Sequence, residues 1–295
     1  MKNNYIDLHV HTNYSDGLFY PKDIINLAKE NNVQILSITD HDSISSLEEF
    51  KNNICDKMIG IKGVEFSSYI NIFNKKIKLH ILGYCFDENN INLKKLINEM
   101  LEKRREAHIN LLKEINNKIK NFPEENLSKI NFDRYCWFDR EIINYLEDNN
   151  VSKEKIEYLR NFYKFNKFSY GFDYDLPARK VIDAIHSAGG YVIFAHPMAY
   201  KIEKEQMELI INHLISMGID GIETYQSDCS DKDSMWLNKI VETNNLLNSV
   251  GSDFHRIIRS DGRKIGLGIN NNLCIEETLL TNKILQKKQY FERNK

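Results

Sequence analysis

The chain has 295 residues, with 40 Lys and Arg against 42 Asp and Glu and a formal net charge of -2. That length can bury a full core, as one large domain or a domain with an insertion, and the near-neutral balance gives no global case for a nucleic-acid or membrane surface. Five scattered cysteines without a C-x-x-C pair (Cys55, Cys85, Cys136, Cys229, Cys274) read as reduced thiols of a cytoplasmic protein, and no run approaches the roughly 18 apolar residues of a membrane span.

The first predicted strand holds Ile6, Leu8 and Val10 alternating with Asp7, His9 and His11, so the two histidines share one face and the apolar residues take the other. Asp16 arrives on the following loop. Two imidazoles and a carboxylate converging on one strand end form a donor set suited to a divalent metal. A helix follows from Pro21 to Glu30, then a short buried strand from Val33 to Thr39 that runs straight into Asp40, His41 and Asp42. Ile44, Leu47 and Phe50 mark the next helix. Met58 to Tyr69 and Lys76 to Tyr84 read as strands carrying Glu65 and His80, joined by a hairpin turn over Ile70 to Lys75.

From Glu88 the pattern changes, because Leu93 to Ile119 is one long helical stretch with no strand before Leu176. Arg104 and His108 fall in the middle of its apolar stripe and Arg105 at the edge. These side chains either meet carboxylates or are offered to an anionic ligand across a wet cleft. After Leu176 the βα rhythm resumes: a helix stopped by Gly189 and Gly190, the strand Tyr191 to Ala195 running into His196, the strand Ile219 to Tyr225 with Glu223, and the strand Leu247 to Ser252 leading to Asp253 and His255. Gly262 to Ile269 is a loop, and Ile275 to Arg293 a weak terminal helix. Repeated βα units with polar clusters at strand ends describe an α/β barrel whose active face is that end. The expected divisions are a barrel of residues 1–87 and 177–275, a helical insert of 88–176 capping the active site, and a C-terminal tail of 276–295.

DLHVHTNYSDG, TDHD, GVEFS, HILGY, AHP and GSDFH stand in one order over residues 5 to 270, and in that order the chain resembles the PHP (polymerase and histidinol phosphatase) phosphoesterases. The resemblance implies a distorted (β/α)7 barrel and three divalent ions. It implies one ion on His9, His11, Glu65 and Asp253, a second on Glu65, His80 and His196, and a third on Asp16, His41 and His255. The donor types leave manganese, iron and zinc open. Within the family, the wording and the insert are similar to the subgroup that hydrolyses nucleoside 3',5'-bisphosphates and trims short RNA from its 5' end. Arg104, Arg105 and His108 match that subgroup's phosphate contacts in placement. Where the subgroup carries Gly-Arg-Pro-His-Ile, this chain reads Phe138, Asp139, Arg140, Glu141, Ile142, so only Arg140 remains as a cation there.

The implied reaction is phosphoester hydrolysis by a metal-bridged hydroxide on a small phosphorylated substrate, a nucleotide or short RNA, with no membrane or stable protein partner. Asp42 and Glu223 are candidates for orienting the ligating imidazoles or water, and His255 for proton donation if it is not committed to metal. Two alternatives are a histidinol-phosphate phosphatase and a metal-stabilised module that holds a nucleotide without cleaving it.

Overall fold

Strand β1 (Tyr5–Val10) pairs in parallel with β2 (Val33–Ile38), and β2 with the long β3 (Ile59–Ile72). The structure, a computed structural model, describes residues 4–55, 57–119, 152–157, 175–256 and 262–291, apart from the side chains of 108, 109 and 111–119. It divides into two units, residues 1–96 with 176–295, and residues 97–175.

In the first unit, β3 folds back on β4 (Lys75–Tyr84) as an antiparallel hairpin. Phe73 and Asn74 occupy the turn at φ 56° and 55°, the left-handed pair that a two-residue hairpin loop demands. Next come a two-residue strand β5 (Leu176–Pro177) beside β3, then β6 (Tyr191–Phe194), β7 (Gly221–Gln226) and β8 (Leu247–Gly251). The main path runs β1-β2-β3-β4-β6-β7-β8, with β4 antiparallel to both neighbours. It closes where Val10 bridges Phe254 in parallel and the Asp253 N–H donates to the His9 carbonyl at 2.8 Å. This is a distorted β/α barrel of seven strands, one of them reversed.

Helices α1 (Pro21–Glu30), α2 (Leu47–Asn53), α4 (Ala178–Ser187), α5 (Lys204–Ser216) and α6 (Asp231–Thr243) connect or follow the strands; α3 (Ile91–Ile119) leads from the first unit into the second. Pro21 opens α1, where its missing N–H is harmless, and Ile24, Ile25 and Ala28 form its buried face. α4 buries Ala178, Val181, Ile182, Ala184 and Ile185.

Ile6 and Leu8 join side chains of β3, β4, β6 and β8 in one apolar cluster, whereas Val10 packs with Ile24, Ile38 and Phe50 in another. The predicted single apolar face of β1 is therefore broken. The register with β2 shifts between Asp7 and Val10, and a one-residue irregularity moves the side chains beyond it to the other face of a sheet. Helix α7 (Leu279–Gln286), closed by a reciprocal Thr278–Thr281 cap, buries Leu280 and Ile284 in the same cluster as Leu8. Beyond it, Phe291 exchanges two backbone hydrogen bonds with Gly60, and a Cβ on Gly60 would overlap the phenyl ring.

In the second unit, residues 153–157 are helical.

Candidate metal centre

Glu65 is the hub. It lies in the middle of β3, fully buried, level with His41 through a parallel bridge. Its Oε1 sits 2.9 Å from His80 Nδ1 and 2.8 Å from His196 Nε2. Its Oε2 sits 3.1 Å from His9 Nε2, 3.1 Å from His11 Nε2 and 3.2 Å from His41 Nδ1. Asp253 Oδ1 joins the same group, 3.3 Å from His11 Nε2 and 3.6 Å from His9 Nε2. On the far side of His11, Asp16 Oδ2 lies 3.1 Å from His255 Nε2, and Asp16 Oδ1 lies 3.6 Å from His11 Nδ1.

The set expected for one ion, His9, His11, Glu65 and Asp253, presents donor atoms within 4.8 Å of one another, as does a second set of His11, Asp16, His41 and His255. Glu65, His80 and His196 converge as well, with His80 Nδ1 and His196 Nε2 3.3 Å apart. His41 faces both ways, and with Glu65 and His80 forms a further convergent triplet. Two of these residues enter differently from the strand-end pattern read in the sequence. Because β3 and β4 run on as a hairpin, Glu65 and His80 sit inside their strands, and His80 arrives on the reversed strand opposite Ser67.

Glu223 is fully buried on β7; its Oε1 faces His9 Nδ1 at 3.0 Å and its Oε2 accepts the His196 N–H at 2.9 Å. Asp42 accepts from the Ser67 N–H at 2.7 Å and the Ser67 hydroxyl at 2.9 Å, tying the loop that carries His41 to β3. Asp40 does the same for the loop that carries Asp16, accepting from the Thr12 N–H, the Thr12 hydroxyl and the Ser15 hydroxyl at 2.8, 2.7 and 2.6 Å. Asp42, His196 and Asp253 all take left-handed backbone conformations, at φ 52°, 30° and 55°, which non-glycine residues adopt at a cost of about 1–3 kcal/mol when the surroundings enforce them. His255 Nδ1 faces the Asp253 carbonyl at 2.9 Å. On α3, Arg104 is buried and Arg105 exposed. The His108 side chain and Arg140 lie outside the described residues.

Two contributors have no signature in the sequence. Asp7, read only as a polar position on β1, is buried and accepts from the backbone N–H groups of His9, Ser252 and Gly266 at 3.2, 2.9 and 2.7 Å. Gly266 reaches it from a left-handed turn at φ 72°, and a Cβ there would overlap Val33. Arg263, buried in the glycine-rich loop, contacts Asp253 and Asp228. A lone acid on a strand and a lone arginine in a loop carry no spacing that could have singled them out.

The electrostatics follow from burial set against proximity. Burial pushes the Glu65 carboxyl up, but His9, His41 and His80 together outweigh it and hold the group well below the usual range. Burial lowers His9, and Glu65 with Glu223 reverse that, holding its imidazole well above the ordinary value. His11, likewise buried, is held up at about 10 by Asp253, Glu65 and Asp16. His41 falls well below its usual value because burial, with His11 and His80 beside it, outweighs Glu65 and Asp16. Asp7 is pushed up to about 6 by burial against its three N–H donors.

These residues fit metal ions. Glu65 Oε2 is buried among three imidazole nitrogens yet hydrogen-bonds to none, and Asp16 Oδ1 is buried without a hydrogen bond too. Buried lone pairs clustered in this way need a cation among them, and mixed imidazole and carboxylate donors suit a first-row divalent ion.

The family model described as the PHP domain matches residues 7–169 of this chain. The chain belongs to the PHP domain family. As a PHP protein it is a metal-dependent phosphoric ester hydrolase. A 5'-3' exoribonuclease of Haemophilus influenzae is 28% identical over 266 residues, covering 84% of this chain and 89% of that protein. A 3',5'-nucleoside bisphosphate phosphatase of Chromobacterium violaceum is 25% identical over 267 residues, covering 85% and 87%. A solved structure from Chromobacterium violaceum, described as an amidohydrolase with bound sulfate and no metal, shares the fold with a TM-score of 0.70 at 19% identity, covering 98% of both chains. Among the described residues no helix is long and apolar enough to cross a membrane.

Proposed function

We propose that this PHP phosphoesterase hydrolyses nucleoside 3',5'-bisphosphates or the 5' ends of short RNA in the cytoplasm, using three divalent ions. The observation that carries the hydrolytic reading is the convergence of five imidazoles and Asp253 on and beside the buried Glu65, continued by Asp16 and His255 on the far side of His11. The substrate class is supported by the names of the two curated relatives and by the arginines of the helical insert. His9, His11, Glu65 and Asp253 would hold one ion, Glu65, His80 and His196 a second, and Asp16, His41 and His255 a third, with His11 and His41 close enough to share. Bound there, the metals supply Lewis-acid charge and acidify water at neutral pH.

The chain's own groups set the geometry. Glu223 fixes the His9 ring by accepting a hydrogen bond from its Nδ1–H, which leaves the Nε2 lone pair for a metal, and its other oxygen accepts the His196 backbone N–H. Asp40 and Asp42 clamp the two loops that carry Asp16 and His41. His255, 3.1 Å from Asp16, is proposed as a ligand of the third ion, and as a proton donor only where it is not committed to metal. Arg104, Arg105, His108 and Arg140 are proposed phosphate contacts on side-chain chemistry and resemblance alone.

A substrate panel tests the reading. Purified protein with added manganese is expected to release phosphate from adenosine 3',5'-bisphosphate, or mononucleotides from a 5'-phosphorylated oligoribonucleotide. Release only from histidinol phosphate would replace this substrate assignment, and binding of a nucleotide without release from any of the three would refute hydrolysis of these substrates.

A further inference from the structure

Arg263 is one of two buried arginines among the described residues, 4% exposed, in the glycine-rich loop that follows β8. Its Nη1 donates to the Ser252 carbonyl at 2.9 Å and lies 3.2 Å from Asp253 Oδ2 and 3.4 Å from the Asp253 carbonyl. Its Nη2 donates to Asp228 Oδ2 at 2.8 Å, and Asp228 is partly exposed. The guanidinium thus spans two carboxylates, one beside the imidazoles and one at the surface. A planar fork with fixed donor directions can do this; an ammonium on a flexible stem, a point charge, cannot.

The peptide it grips is held from every side. The Ser252 N–H donates to Asp7, the Ser252 carbonyl accepts from the Ser227 hydroxyl at 2.7 Å as well as from Arg263, and the Asp253 N–H donates to the His9 carbonyl. Asp253 needs such support, because its backbone sits at φ 55°. With Oδ2 turned to Arg263, Oδ1 is the oxygen left facing His9 and His11.

We propose that Arg263 is a positioning residue for the metal centre: it commits Asp253 to present one oxygen, Oδ1, to the ion shared with His9 and His11, and Asp228 anchors the guanidinium from the surface. This rests on the reading of Asp253 as a metal ligand. Two effects of Arg263 oppose each other. Its positive charge repels a cation, whereas its fork fixes the ligand; the inference is that orientation dominates. Outer partners of metal ligands typically change affinity or activity 10–100-fold when removed.

The test is manganese titration of metal-stripped protein by calorimetry, with circular dichroism melts run alongside and kcat and KM measured at saturating manganese. Arg263→Lys keeps the charge and loses the fork. It is expected to weaken one manganese site about tenfold or more and to lower kcat with little change in KM. Arg263→Met should weaken the same site. Asp228→Asn, at a half-exposed position, should weaken it several-fold and remains informative if the buried substitutions fail to fold. Wild-type manganese affinity in Arg263→Lys, or tighter binding in Arg263→Met, would overturn the inference, as would Asp228→Asn indistinguishable from wild type. Asp253→Asn separates the two readings. If it loses a manganese equivalent while the Arg263 and Asp228 variants do not, Asp253 is a ligand and Arg263 is not its guide; if it retains every equivalent, the ligand assignment itself fails.

Discussion

Replacing Glu223 with glutamine changes one oxygen to an amino group and leaves the volume alone, so its effect isolates the control of ring orientation. Both carboxylate oxygens are engaged by donors, Oε1 by His9 Nδ1 at 3.0 Å and Oε2 by the His196 N–H at 2.9 Å. Glutamine offers a single acceptor, so its NH2 must confront one of those donors. The backbone N–H cannot yield. His9 can, by giving up the Nδ1 proton and keeping the one on Nε2, the nitrogen that lies 3.1 Å from Glu65 and 3.6 Å from Asp253. A proton there blocks the lone pair a metal needs. The lost charge-assisted hydrogen bond contributes about 1.5–3 kcal/mol, and if that whole amount is transmitted to the ion, manganese affinity falls by roughly 10–150-fold. Calorimetric titration of metal-stripped Glu223→Gln, with a thermal melt to confirm folding, measures it. A folded variant binding manganese within twofold of wild type would refute the tautomer argument.

Other expectations follow from the same geometry. His9→Ala should abolish phosphate release under saturating manganese, and retained turnover would count against the whole centre. Gly251→Ala places a Cβ onto the Cβ of His9 and Oε1 of Glu223, so it should lower stability by about 1–3 kcal/mol and reduce bound manganese on elemental analysis; a wild-type melt and metal content would contradict it. In the metal-free protein His9 and His11 have folded-state values above their unfolded ones, so their pairing contributes stability below about pH 6.5 that fades as pH rises, for His11 through about 10. Metal uptake must displace those protons, so calorimetry in two buffers of different ionisation enthalpy should show proton release at pH 7, and affinity should climb towards pH 9; a buffer-independent heat would refute it. Arg104→Ala should raise KM for a bisphosphate about tenfold, the equivalent of ~1.5 kcal/mol, if its guanidinium meets a phosphate, and an unchanged KM would dismiss that role.

The β/α alternation, the hairpin around Phe73 and Asn74, and the convergent residues were legible because each leaves a local mark. Period-2 and period-3.6 patterns show in one element at a time, and histidines beside acids are scarce enough to stand out. What stayed hidden depends on partners far away in the chain. The register slip in β1 that separates Val10 from Leu8 is set by pairing with β2, not by the alternation within the strand. Asp42 reads in the sequence as an orienting acid, but that it and Asp40 hold Ser67, Thr12 and Ser15 depends on loops that no local pattern describes. Asp7 and Arg263 draw their meaning from Ser252, Asp253 and Gly266, more than two hundred positions away for the aspartate. The mid-strand positions of Glu65 and His80 depend on how far a hairpin overshoots the rim, which only the assembled barrel decides.

Helix α7 joins two stretches that lie far apart in the sequence. Ile6 donates its N–H to the Ile275 carbonyl at 2.9 Å, and Leu280 and Ile284 fill the space beside Leu8. During translation, then, the strand bearing His9 and His11 waits for these neighbours until the segment from Ile275 to Ile284 has been made. A chain cut short before Leu279 keeps every proposed metal donor, yet the barrel that should gather them lacks the side chains that fill one end of its core.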